Sequence, residues 1–78
     1  MDLNINYQET PRKSIGYSAY QYFRSNKKPT IEIIFTKGKI ELETEKVERI
    51  NFYQESIHII YKDNVIQFVN LNNITQIL

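Results

Sequence analysis

The chain has no cysteine, only two glycines, two prolines and a single histidine among its 78 residues. Each scarcity closes off some chemistry. Without cysteine, disulfides and thiolate metal sites are excluded. His58 cannot build a zinc site without several carboxylate partners. Gly16 and Gly38 stand apart, and neither sits in the glycine-rich run that a phosphate-cradling loop requires. A paired-histidine metalloprotease motif, a nucleophile elbow and an Asp-rich calcium loop are also missing. Uninterrupted apolar runs are far too short to span a bilayer. The start, Met1-Asp2-Leu3-Asn4, lacks a basic and an apolar leader region, so we expect a cytoplasmic protein with no signal peptide.

Charge of one sign is scarce too, since the formal net charge is only +1. That is far from the basic balance of an obvious nucleic-acid binder. The charge is unevenly spread, however. Residues 1–29 hold five Lys/Arg against two acids, whereas residues 30–78 hold five against seven. This division suggests a basic N-terminal arm or short helix (1–29) on a mildly acidic antiparallel β domain (30–78).

What the chain has in abundance is Ile, Asn, Lys, Tyr and Phe, together 38 of 78 residues. All have AT-rich codons, which points to a low-GC bacterial or phage genome. After Pro29, β-branched and aromatic residues dominate and alternate with polar ones. Ile31, Ile33 and Phe35 alternate on one strand, and Ile40 and Leu42 on the next, with a tight turn at Lys37-Gly38. Val47 falls out of phase with Ile50 and Phe52, which predicts a bulge near Glu48-Arg49. Ile57, Ile59 and Tyr61 follow a turn at Gln54-Glu55-Ser56, and Asp63-Asn64 is a second hairpin candidate. Val65 to Leu71, apolar on both faces, reads as a central or barrel strand. Ile74 to Leu78 closes the chain as a short strand or helical turn.

The expected fold is therefore mainly β, a five-stranded antiparallel meander or small barrel. The expected core is Ile31, Ile33, Phe35, Ile40, Leu42, Ile50, Phe52, Ile57, Ile59, Tyr61 and Phe68. Ser14 could cap a helix over Ile15 to Ser25, although the same stretch also alternates as a strand would. A domain of this size buries little of its surface, so a homo-oligomer is expected.

Two constellations are candidate partner-binding sites. Arg12, Lys13, Arg24, Lys27 and Lys28 surround Tyr17, Tyr20, Tyr22 and Phe23. Cations meet phosphates and aromatics stack on bases, so the group suits single-stranded nucleic acid. Tyr and Arg are equally the anchors of protein interfaces, and the aromatics could simply pack a helix onto a sheet. Glu41, Glu43 and Glu45 recur every second residue and, on a strand, would project from one face about 7 Å apart. Such a row could mimic nucleic-acid phosphates or dock on a basic partner; it also suits a solvated face guarding an edge strand. His58, between Ile57 and Ile59, faces away from both and reads as a surface or half-buried histidine.

The layout resembles the bacterial Sm-like (Hfq) family, in which a short helix precedes a strongly bent five-stranded barrel. The segment ending near Ser25, the strand Thr30–Phe35, the turn Phe35-Thr36-Lys37-Gly38 and the ending Val69-Asn70-Leu71-Asn72-Asn73-Ile74-Thr75 carry the likeness. It implies ring assembly and RNA binding. The glycine that bends the family's second strand has no counterpart between Lys39 and Phe52. The family's Tyr-Lys-His run is replaced near Asn70, Leu71 and Asn72.

These readings together lead us to expect a small protein-binding module with no enzymatic activity, no cofactor and no metal. A phage or mobile-element inhibitor of a host enzyme, such as a defence nuclease, would suit that description. An Sm-like RNA-binding oligomer is the alternative.

Overall fold

The structure is a computed structural model that describes residues 3–78. Its elements in chain order are β1 (Asn4–Tyr7), α1 (Ile15–Ser25), β2 (Thr30–Phe35), β3 (Gly38–Glu43), a 3-10 turn (Thr44–Lys46), β4 (Val47–Phe52), β5 (Ser56–Tyr61), β6 (Ile66–Asn70) and β7 (Ile74–Ile77). They form two sheets, one ordered β1-β4-β5-β6 and the other β3-β2-β7. All strand pairs are antiparallel except β1 with β4, which is parallel.

The mainly β class expected from alternation is what the chain adopts. The strand count differs, with six strands after Pro29 and one before it. The run Gly38–Phe52 is cut by the 3-10 turn, so its first half belongs to one sheet and its second half to the other. No glycine makes this corner. Thr44 makes it, donating its backbone N–H to the Pro29 carbonyl (3.0 Å) and its hydroxyl toward the Lys28 and Pro29 carbonyls (3.0 and 3.1 Å).

The turns follow from local chemistry. Gln54-Glu55 forms a two-residue hairpin turn, with Tyr53 N–H donating to the Ser56 carbonyl at 2.8 Å. The expected two-residue turn at Asp63-Asn64 is one residue longer. Tyr61 N–H bonds the Val65 carbonyl around a three-residue loop, and Asn64 takes the left-handed conformation at φ 72°, which Asn tolerates better than most residues. The bulge expected near Glu48-Arg49 is present, since the pairing skips Glu48 between Val47 and Arg49.

The residues fully removed from solvent are Ile31, Ile33, Leu42, Ile50, Phe52, Ile57, Ile59 and Leu71. Ala19, Phe23, Val47 and Val69 complete the core. Phe35, Ile40 and Tyr61 are half-buried against it. Phe68 was expected in the core and is not there; it is 69% exposed. The cause is the face it occupies: with Val69 turned inward, alternation sends Phe68 to the outer face. The segment Val65 to Leu71 supplies an edge strand, not a central one.

The ambiguous N-terminal stretch resolves as helix over Ile15–Ser25. Ser14 caps it by accepting the Tyr17 N–H at 3.0 Å, and Gly16, Ala19 and Phe23 make its buried stripe. Gly16 marks a close approach of the helix to the β4–β5 turn. Its N–H donates to the Gln54 carbonyl at 2.7 Å, and a Cβ there would lie 1.5 Å from the Tyr53 carbonyl oxygen. Alanine normally stabilises a helix by about 1 kcal/mol over glycine. Here we expect the opposite sign: Gly16→Ala should cost about 3 kcal/mol, as overpacking does. Ser18→Ala, on the exposed side, should stay within about 0.5 kcal/mol. Urea titration of both variants checks the contrast, and a stabilised Gly16→Ala protein would refute the close approach.

Candidate functional site: the outer face of the four-stranded sheet

The basic and aromatic residues of the N-terminal segment separate into three groups. Arg12 anchors the chain, its Nη2 donating to Gln54 Oε1 at 2.9 Å. Gln54 also gives its backbone N–H to Glu9 Oε2 (2.8 Å) and receives the Gly16 N–H. One turn residue therefore ties the N-terminal segment to the β4–β5 hairpin by three bonds. Tyr17 and Tyr20 pack with Tyr7, at ring-centroid distances of 5.1 and 5.8 Å. Tyr20 also meets Phe52 edge-on at 5.6 Å, and Tyr17 Oη accepts from Gln21 Nε2 at 2.8 Å. These rings seat the helix on the sheet, which leaves little of them to stack on a ligand.

Arg24, Lys27 and Lys28 come together with Tyr20 along an open groove of about 830 Å³ at the end of α1. The Arg24 guanidinium lies over the Tyr20 ring at 5.7 Å. Lys28 Nζ lies over the Tyr22 ring at 5.8 Å and donates to its hydroxyl at 3.1 Å. Glu43 and Glu45 form part of the same wall, so the groove is of mixed charge rather than a cationic track. Lys13 lies elsewhere, on a groove between α1 and β7.

The acidic row is broken. Glu41 and Glu43 lie on β3, but Glu45 belongs to the 3-10 turn and leaves the strand register. The corner at Thr44 is the reason. The remaining carboxylates are matched by lysines: Lys39 bonds Glu32 at 2.8 Å and approaches Glu41 at 3.6 Å, and Lys46 bonds Glu43 at 2.9 Å. The hydrogen bond and charge of Glu32 hold the Lys39 ammonium above its usual range, and Glu43 does the same for Lys46.

The surface with distinctive chemistry is one that residue spacing did not single out. Buried Ile50, Phe52, Ile57, Ile59 and Val69 face inward, so their strand neighbours form an ordered outer face. Registers place Asn6, Asn51, His58 and Phe68 side by side across all four strands. Asn4, Arg49, Ile60 and Ile66 form the next row, with Ser56 beside Asn70 on the other side. His58 is wedged between two rings, 4.6 Å from Tyr53 and 4.6 Å, edge-on, from Phe68. Among the described residues no carboxylate occupies a paired position in this sheet, since Glu48 is the bulged residue. At the free edge the face becomes apolar, with Val65 54% and Ile66 51% exposed beside Phe68.

The signal was present in the sequence as Ile57-His58-Ile59 and Gln67-Phe68-Val69. Its reading depended on knowing which face of β5 and of β6 meets the core. Among the described residues no cluster of three His, Cys, Asp or Glu could hold a metal ion, and no helix is long and apolar enough to cross a membrane.

Because Phe68 rests on the surface, Phe68→Ala should change stability by no more than about 1 kcal/mol. Phe52→Ala should cost about 3–5 kcal/mol. Denaturant titration of the pair separates a core ring from a displayed one. Burial, followed by the charge of Asp63, raises the Tyr61 phenol above its usual value; its hydroxyl donates to Gln67 Oε1 at 2.7 Å. The folded protein thus holds this proton more tightly than the unfolded chain. The stabilisation is complete below about pH 10 and is lost as pH rises further. Tyr61→Phe should make the alkaline fall in melting temperature shallower. No family model matches the chain, and no curated protein or solved structure matches it either.

Proposed function

We propose that the chain is a non-enzymatic module that binds a protein partner through the outer face and free edge of β6. The observation that carries this reading is the exposure of Phe68 at 69%. Burying an exposed ring of this size against a partner is strongly favourable. Val65 and Ile66 adjoin it, and contiguous exposed apolar surface characteristically marks an interaction site. β6 is also an edge strand, and an edge offers unpaired backbone groups that a partner strand can satisfy. The Tyr53, His58 and Arg49 side chains on the same face are typical of interface anchors and rims. A host enzyme blocked by such a surface would fit the composition of the chain.

A second reading, an Sm-like RNA-binding oligomer, is favoured by the course of the chain. A helix precedes five consecutive strand segments, of which the second, Gly38–Phe52, bends sharply and serves both sheets. Here the bend is a 3-10 turn, and β1 is an addition to that layout. The groove at Arg24, Lys27 and Lys28 would be the place for phosphates.

The two readings separate on salt and on Phe68. For a protein-binding module, Phe68→Glu should weaken a partner captured from the source cell by at least about thirtyfold, the effect of a hot-spot residue. Joint replacement of Arg24, Lys27 and Lys28 by Ser should leave that affinity within about threefold. Anisotropy with labelled single-stranded RNA should give negligible binding at physiological salt. Tight binding that falls steeply with salt and is lost in the triple variant would overturn the first reading and select the second. Light scattering of the Phe68→Glu protein measures any self-association through the same face.

A further inference from the structure

We propose that the groove between α1 and β7 receives an extended acidic peptide, which adds as a strand to the free edge of β7. This site is separate from the β6 face and shares with the reading above only the protein nature of its ligand.

The backbone supplies the first argument. β7 is the edge of its sheet. Leu78 and Glu32 exchange both backbone hydrogen bonds, each at 2.9 Å. In an antiparallel pair such exchange alternates along the strand, so Ile77 turns its N–H and carbonyl away from β2, toward the open side. A guest strand would satisfy them.

The second argument is the lining. The cavity is about 550 Å³ and is walled by Ile15, Ser18 and Tyr22 of the helix side and by Ile74 and Ile77 of β7. Alternate side chains of a guest strand would fall toward α1, where these apolar groups and the small Ser18 leave room for them.

The third argument is charge, and it identifies the occupant. Among the described residues that line this groove, Lys13 alone is charged. At the other end Tyr22 holds Lys28 on its hydroxyl. The first turn of α1 carries no acid. Eight residues, seven of them helical, separate Lys13 from Tyr22, which is roughly 13 Å at the helical rise, and about four residues of extended chain cover that distance. The fitting guest therefore has alternating aliphatic residues flanked by carboxylates about four residues apart. Of the edge strands that a second copy would offer, β1, β6 and β7 carry no charge, and the Glu41 and Glu43 carboxylates of β3 are already met by Lys39 and Lys46.

The test uses a displayed library of random twelve-residue peptides selected on the full chain. The best sequence is then measured by fluorescence anisotropy. We expect enrichment of alternating Ile, Val or Leu flanked by Asp or Glu, and protection of the Ile77 amide from hydrogen exchange when the peptide is bound. Lys13→Glu should weaken binding at least tenfold. Ser18→Arg, at an exposed position that leaves the core untouched, should abolish it. Phe68→Glu should leave it unchanged, which distinguishes this groove from the β6 face. Three outcomes would overturn the proposal: enriched peptides without acidic residues, binding indifferent to Lys13→Glu and Ser18→Arg, or no enrichment at all. Self-association abolished by Ser18→Arg would instead assign the groove to a second copy.

Discussion

The corner at Thr44 is the constraint on which the remaining structure depends. A strand run from Gly38 to Phe52 that stayed straight would place Leu42 and Ile50 in a single sheet with one face to water. By turning through a 3-10 step, the run delivers Ile40 and Leu42 to one sheet and Ile50 and Phe52 to the other, and the two inner faces meet. The backbone and hydroxyl of Thr44, bonded to the Lys28 and Pro29 carbonyls, make this corner with an ordinary L-residue. It also joins the start of β2 to the end of β3, so the same few atoms close both the corner and the hairpin.

The helix completes what the corner leaves open. Two small sheets cannot cover each other fully in a chain of this length, and Phe23, Ala19 and Tyr20 fill the gap above Phe52. Their position is fixed by Gln54, which receives a backbone bond from Gly16 and a side-chain bond from Arg12 and gives its own N–H to Glu9. Arg12 thereby has a structural partner in a neutral amide, and its exposed guanidinium keeps its charge. The N-terminal segment is integral for a second reason. β1 extends the larger sheet as its one parallel pairing, covering an edge of β4.

Alternation was sufficient to read the class of the fold, most of the core and even the bulge at Glu48, because each follows from the two-residue period of local sequence. It failed where the answer depended on the neighbours of a strand. Phe68 and Phe52 sit in similarly apolar stretches, yet one is displayed and the other sealed, since Phe52 shares the inward row with Ile57 and Val69 while Phe68 shares the outward row with Asn51 and His58. Glu45 shared the spacing of Glu41 and Glu43 but lay beyond the corner, and no glycine marked where that corner falls. The Tyr-rich N-terminal segment was ambiguous between period 2 and period 3.6. Only the close contact at Gly16 shows why the helix prevails. The candidate site was least legible of all, because Asn6, Asn51, His58 and Phe68 come from four strands and adjoin only after every register is set.

The distribution of carboxylates has a consequence for how this molecule behaves before it touches anything. Glu32, Glu41 and Glu43 belong to the smaller sheet, whereas among the described residues no acid holds a paired position on the larger one. A body with a net charge of only +1 exerts little monopole attraction, and the carboxylates of the smaller sheet are offset by Lys39 and Lys46, so long-range pull contributes little to what finds the molecule. Residence on the outer face around Arg49 and Phe68 is then set by short-range apolar contact, which salt screens far less than it screens exposed charge.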